Sequence, residues 1–125
     1  MVVVVVVAER KLRQQYAQAL TERGLEVLAV GSALVAEAAI LRATIVGVLA
    51  DLASVDEWQR VFKAANIRGV PTVAVAGAGA GGAQARLFGA RMVFDEPVSP
   101  DGAADAVAAL ASGNAAVLAA AANEY

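Results

Sequence analysis

Residues 2–32, VVVVVVAERKLRQQYAQALTERGLEVLAVGS, decide the fold of this chain. The run 2–7 is β-branched without a polar break, which is typical of a strand buried on both faces of a parallel sheet. Residues 9–23 have the period of an amphipathic helix, and Gly24 follows where helices commonly end. Residues 25–30 are again mainly apolar, with Glu26 the one charged residue. The stretch therefore predicts a strand, a helix and a second strand.

The same alternation recurs along the rest of the chain. The further predicted segments are a helix at 33–41, a strand at 44–49, a helix after 54–57, a strand at 72–76, a helix at 82–88, a strand at 91–94 and a helix from 99. This (βα)5 order with short links predicts an α/β fold, a doubly wound five-stranded parallel sheet in a three-layer sandwich. We expect one domain over 1–112, and an Ala-rich helical tail or linker stub over 113–125.

The third predicted helix has a recognisable start. Ser54 and Glu57 have the spacing of a capping box, in which the two residues each satisfy a backbone N–H of the first helical turn. The helix that follows is predicted to turn four side chains inward: Trp58, Val61, Phe62 and Ala65.

Composition excludes several classes of function. The net charge of −2 gives no broad basic surface for nucleic acid, and no apolar run reaches the roughly 18 residues of a membrane span. The valine run lacks the basic flank of a signal peptide. With no Cys and no His, thiolate nucleophiles, imidazole bases and the usual zinc sites are excluded. We expect a cytoplasmic domain that is not an enzyme and binds neither nucleic acid nor a membrane.

A G-x-G-x-x-G pattern at Gly77, Gly79 and Gly82 invites a nucleotide-binding interpretation. In dinucleotide folds this pattern belongs to the first strand-helix turn, where a helix N-terminus meets the pyrophosphate. Here it follows the fourth predicted strand. We therefore interpret 77–82 as a loop with backbone freedom and expect it to be the most mobile part of the domain.

Three stretches resemble the receiver domain of response regulators, the CheY-like signalling family with a flavodoxin-like fold. They are the opening stretch, VDEWQRVFKAANIRGVPTVAVAG at 55–77, and GARMVFDEPVSPDGAADAVAAL at 89–110. The resemblance covers about residues 2–112. It implies a pocket at the carboxyl ends of the strands, with an acid pair for Mg²⁺, a phosphoacceptor aspartate, a hydroxyl residue and a lysine. Metal and lysine would neutralise the transferring phosphoryl group.

Carried over onto this chain, the pocket is degenerate. The positions of the acid pair hold Val7 and Ala8, with Glu9 next to them, and counting back from Asp56 places the acceptor position at Leu49. The hydroxyl position holds Ala76, the lysine position holds Glu96, and the aromatic switch position holds Val93. An alternative alignment makes Asp51 the acceptor with Glu9 as a lone Mg²⁺ ligand. We disfavour it because Asp51 lies beyond the predicted strand and the lysine is still absent. Otherwise no cofactor is expected.

The resemblance also implies a protein-binding surface around the fifth strand and its flanking helices. Its candidate residues are Arg86, Phe88, Arg91, Val93, Phe94, Asp101 and Asp105. Because both charge signs are present, we expect a self-complementary homodimer contact. Other expected partners are a kinase and an output domain.

The leading interpretation is a pseudo-receiver that acts without phosphorylation as a regulatory or dimerising module. One alternative is a phosphorylated receiver that carries aspartate, in place of leucine, at position 49. Another is a small-molecule sensor whose apolar pocket is lined by Val7, Ala8, Leu49 and Ala76.

Overall fold

The computed structural model describes residues 2–77 and 81–123. Its elements, in chain order, are β1 (Val2–Val6), α1 (Arg10–Glu22), β2 (Glu26–Val30), α2 (Ala33–Arg42), β3 (Ile45–Asp51), α3 (Gln59–Arg68), β4 (Thr72–Val75), α4 (Gly81–Leu87), β5 (Met92–Phe94) and α5 (Pro100–Asn123).

The five strands form one sheet in the order β2-β1-β3-β4-β5, and every neighbouring pair is parallel. Helices α2, α3 and α4 pack on one face of the sheet, and α1 and α5 pack on the other. The predicted three-layer (βα)5 fold is confirmed. The carboxyl ends of all five strands lie along the same edge, which we call the carboxyl edge.

The valine run of β1 explains why the sheet is central. Val4 and Val6 point into the core beneath α2 and α3, whereas Val3, Val5 and Val7 point into the core beneath α1 and α5. All five side chains are fully buried. A strand covered on both faces has no position for a polar residue, so the run is uninterrupted.

The third strand is longer than predicted. It continues through Ala50 and Asp51, so the prediction that it ends at residue 49 was wrong. An aspartate interrupts the apolar pattern, but Asp51 stays in the strand because its carboxylate receives a hydrogen bond from Ser54. The buried charge therefore has a partner.

The predicted capping box was also wrong. Helix α3 begins at Gln59, its N-cap residue is Trp58, and no side chain caps it. The Ser54 hydroxyl is committed to Asp51, and Glu57 has a φ of 56°, in the left-handed region. The predicted inward side chains of the helix are nevertheless buried, including Trp58 and Phe62.

The glycine motif divides between a turn and a helix. Gly77 has a φ of 62°, which a glycine adopts without strain, and Gly82 lies within α4. A Cβ at Gly82 would collide with the Asp95 carboxylate, so this glycine permits close packing. Residues 78–80 lie outside the described part of the chain, and the mobility predicted for the loop at 77–82 stays a prediction.

Helix α5 passes through residue 113 and continues to Asn123. The predicted tail over 113–123 is therefore helical and continuous with the domain's last helix, whereas the boundary at residue 112 stays a prediction. Within residues 2–77 and 81–123, no helix is both long and apolar enough to cross a membrane.

Candidate functional site

Asp51 lies at the centre of the carboxyl edge. It is the last residue of β3, the middle strand of the sheet, and it is in register with Val75 of β4, which is in register with Phe94 of β5. On the other side, Val6 of β1 is in register with Ala50. The ends of β1 and β4 thus flank Asp51, and the end of β5 lies one strand further along the same edge.

Ser54 holds that carboxylate in place. Its Oγ donates a hydrogen bond to Asp51 Oδ2 over 2.8 Å and accepts one from the Ala8 backbone N–H over 3.1 Å. Asp51 is only 7% exposed. One hydroxyl therefore ties the loop after β3 to the loop after β1 and satisfies a nearly buried charge.

The other predicted pocket positions contribute no polar side chain close to Asp51. Val7 and Ala76 are buried apolar residues, and Ala8 is exposed. Glu96 is exposed two residues after β5. Val93 is half-buried against the core beneath α2 and α3.

Glu9 caps helix α1. Its two carboxylate oxygens accept hydrogen bonds from the backbone N–H groups of Lys11 (2.9 Å) and Leu12 (2.8 Å), so both are used at the helix N-terminus. In the described part of the chain, no cluster of three or more acidic side chains is suited to a metal ion. Mg²⁺ prefers several oxygen ligands in octahedral geometry. The one candidate Mg²⁺ ligand from the alternative alignment, Glu9, is thus engaged at the helix N-terminus, and Asp51 is engaged by Ser54.

Leu49 is a core residue. It is fully buried among Val3, Val5 and Leu20 and lies two positions before the end of β3. The alignment that makes Leu49 the acceptor position is therefore corrected: the residue at the end of β3 is Asp51. The reason given against Asp51, that it lies beyond the strand, is wrong, whereas the absence of a lysine before Pro97 still holds.

The residues predicted to line an apolar ligand pocket do not share one face of the sheet. Leu49 and Val7 belong to the core on one face of the sheet, and Ala76 belongs to the core on the opposite face. Val7 and Leu49 are fully buried and Ala76 is nearly so, as expected of close-packed core residues.

Arg13 is a part of this edge that sequence reasoning missed. Its Nη1 donates to the Val7 carbonyl over 3.0 Å and to the Ala8 carbonyl over 3.3 Å. A Cβ at Gly31 would lie 2.8 Å from the same atom, so a larger residue there would displace the guanidinium from its present position. A basic residue in the charged first turns of a helix is ordinarily solvated, and the pattern gives no sign of this contact.

Tyr16 is coupled electrostatically to Asp51. Burial of the phenol raises the pKa of Tyr16, and the negative charge of Asp51 raises it further. The folded state therefore holds the Tyr16 proton more tightly than the unfolded state does. The contribution of this proton to the free energy of unfolding is fully present below a pH of about 10 and is lost as the pH rises through the pKa of the folded state.

We expect a phenolate titration to show this coupling. In a Tyr125→Phe background, which leaves Tyr16 as the only tyrosine, ultraviolet absorbance gives a pKa above the ordinary value. Asp51→Asn lowers that pKa only part of the way, because burial is the larger cause. A titration at the ordinary value in the parent protein contradicts this expectation.

Removal of the Ser54 hydroxyl is expected to destabilise the fold. Ser54→Ala leaves Asp51 Oδ2 and the Ala8 N–H without their partner, which costs about 1–3 kcal/mol in free energy of unfolding. Urea denaturation measures the loss. In the double variant with Asp51→Asn the loss is smaller, because no charge is left unpaired. Equal losses in both backgrounds contradict the proposed hydrogen-bond bridge.

The predicted interaction face is brought together only in part. Arg86 and Phe88 lie at the end of α4, and Val93 and Phe94 lie on the edge strand β5. Arg91 is exposed and directly precedes β5.

The predicted acids of this face are engaged elsewhere. Asp101 and Asp105 both bind Arg23, at 3.3 Å and 2.7 Å, and so face α1. Arg86 pairs with Asp95 at 2.6 Å. The charge pattern therefore serves contacts within the chain.

The strand order and the helix placement are those of the flavodoxin-like, CheY-like fold. The structure is similar to a CheY-like receiver domain protein from Methanospirillum hungatei JF-1, with a TM-score of 0.79 and 20% identity over 90% of this chain and 94% of that one. A receiver protein from Sinorhizobium medicae WSM419 has a TM-score of 0.73 and 24% identity over 91% and 96% of the two chains.

The fold is also similar to part of a longer protein. NtrX from Brucella abortus gives a TM-score of 0.79 and 20% identity over 96% of this chain and 28% of that one. No protein-family model matches the sequence, and no curated protein matches it. At these identities the similarities establish the fold.

Proposed function

We propose that this chain is a receiver-like signalling domain whose activity does not depend on phosphorylation, and that it works as a regulatory protein-protein interaction module. The observation that carries the proposal is the surroundings of Asp51. Its carboxylate is held by Ser54, and the neighbouring strand ends present Val7, Ala8 and Ala76.

The chemistry of phosphoryl transfer supports this proposal. Positive charge around the acceptor has to neutralise the transferring group, and a metal ion and a lysine supply it in receivers. Here the candidate metal ligand Glu9 caps a helix, and the lysine position carries the opposite charge, Glu96. An Asp51 in these surroundings is a structural acid.

A second candidate function is phosphorylation of Asp51 itself. Its place at the end of the central strand favours this alternative, which requires no change of sequence. The alternative with aspartate at position 49 is much weaker, because that side chain would lie in an apolar core.

Intact-mass spectrometry after incubation with acetyl phosphate and Mg²⁺ tests the proposal against the second candidate. We expect no phosphoryl adduct on the parent protein. An adduct that Asp51→Asn abolishes establishes phosphorylation and overturns the proposal.

The proposed partners are proteins: a kinase, an output domain on the same or another chain, and a second copy. We place the homodimer contact at the edge strand β5, where Met92 is 40% exposed beside Arg91. Sedimentation velocity across a concentration series measures it. Met92→Lys is expected to shift the protein to monomer, whereas a monomer at all concentrations in the parent protein rejects the contact.

Such a module would act in the cytoplasm.

A further inference from the structure

A groove runs between α2 and α3, on the face of the sheet opposite α1 and α5. Its volume is about 330 Å³, and its lining residues are Glu37, Leu41, Arg60, Lys63, Ala64 and Ile67. None of them belongs to the carboxyl edge or to β5. We call this feature the α2-α3 groove.

Large apolar side chains are exposed to solvent along this groove. Ile67 is 76% exposed and Leu41 is 40% exposed. Leu34, seven residues before Leu41 and so on the same side of α2, is 60% exposed. Large apolar side chains grouped on one surface mark a place where a partner removes them from water.

The two walls of the groove are fixed to each other. Arg60 Nε lies 3.0 Å from Glu37 Oε2, and Arg68 Nη1 donates to the Leu41 carbonyl over 3.1 Å. These links join α3 to α2 at two separate levels of the helices. A preformed groove binds a ligand without a large cost in ordering its own residues.

The charge around the groove differs from that of the whole chain. Helices α2 and α3 carry four basic residues, Arg42, Arg60, Lys63 and Arg68, and one acidic residue, Glu37. The chain as a whole has a net charge of −2. Arg60 pairs with Glu37 at 3.0 Å and also with Glu57, two residues before α3, at 3.3 Å. The exposed basic residues that no acid pairs with in these contacts are Arg42, Lys63 and Arg68. A complementary partner is therefore acidic.

We propose that the α2-α3 groove binds an acidic amphipathic helix of a partner protein. Apolar side chains at positions i, i+3 or i+4, and i+7 of that helix would cover Leu41 and Ile67, and its carboxylates would lie near Lys63 and Arg68. The lining includes no aromatic side chain on which a nucleic acid base would stack, which favours a helix. The proposal is independent of whether Asp51 is phosphorylated.

The test uses two hydrocarbon-stapled helical peptides with identical apolar positions, one flanked by glutamates and the other by lysines. Each is titrated into the ¹⁵N-labelled full chain, and amide shifts are followed. We expect the glutamate peptide to bind at least tenfold more tightly, with shifts confined to α2 and α3. A single-stranded oligonucleotide serves as a further ligand.

Matched variants locate the contact. Ile67→Glu and Lys63→Glu each weaken binding of the glutamate peptide at least tenfold, and Lys63→Glu also strengthens binding of the lysine peptide. The control Leu87→Glu changes an 88% exposed side chain on α4 and leaves binding unchanged. The proposal is overturned by equal affinity for both peptides, by binding of neither, by shifts centred elsewhere, or by tighter binding of the oligonucleotide.

Discussion

Replacement of Leu49 by aspartate is expected to remove a large part of the domain's stability. Leu49 has no exposed surface and lies in the core beneath α1 and α5, in register with Val5 of β1 and Val73 of β4. The substitution removes a buried apolar side chain and places an unpartnered carboxyl in its position, which costs more than about 4 kcal/mol in free energy of unfolding. A domain of this size has roughly 5–15 kcal/mol in total.

The pH dependence identifies the cause of that loss. Burial raises the pKa of the introduced carboxyl in the folded state, so the stability that remains is present at low pH and is lost as the pH rises. Circular dichroism during urea denaturation at pH 4 and pH 7 measures the difference. The control Ala53→Asp introduces the same group at an exposed position and changes stability by about 0.5 kcal/mol or less. A stable, phosphorylatable Leu49→Asp variant would show that position 49 belongs to the carboxyl edge after all.

Phe62→Ala is expected to have the second largest effect. Phe62 of α3 is fully buried, and its ring lies edge-on to that of Trp58, with the ring centroids 5.2 Å apart. Truncation leaves a cavity and removes this aromatic contact, which together cost about 3–5 kcal/mol. Trp58 also contacts Phe88 at 5.7 Å, so the loss reaches the packing of α4.

Trp58 reports on the change directly, since it is the chain's one tryptophan. We expect its fluorescence to move to longer wavelength in Phe62→Ala, and the urea midpoint to fall. Leu87→Ala, at an 88% exposed position, serves as the control and leaves both measurements nearly unchanged. If Phe62→Ala costs less than about 1 kcal/mol, the description of this core is wrong.

The fold was predictable because its signals are local and repeated. A strand buried on both faces requires an unbroken apolar run, as in residues 2–7, and the helices that cover it show a clear period. The order of strands and helices then permits few topologies. These features depend on residues close together in the sequence.

The site was less predictable because loop lengths do not fix which residue ends a strand. Counting back from Asp56 assumed a loop of the family's usual length and selected Leu49. The sheet register instead places Asp51 at the edge, opposite Val75. Ser54 has the pattern of a helix cap but binds Asp51 and the Ala8 N–H, which are close only in the folded chain. The contact between Ser54 and Ala8 joins residues 46 positions apart, and such a contact leaves no periodic signal in the sequence.

The most direct test of a phosphorylation-independent domain is a ¹⁵N–¹H NMR spectrum of the parent chain before and after addition of beryllofluoride and Mg²⁺. Beryllofluoride mimics a phosphoryl group on an acceptor aspartate. We predict that the amide resonances of Asp51, Ser54 and the loops around them do not move, and that the spectrum equals that of Asp51→Asn treated in the same way, apart from the shifts of the substitution. Saturable shifts centred on Asp51 that the substitution abolishes would contradict the account.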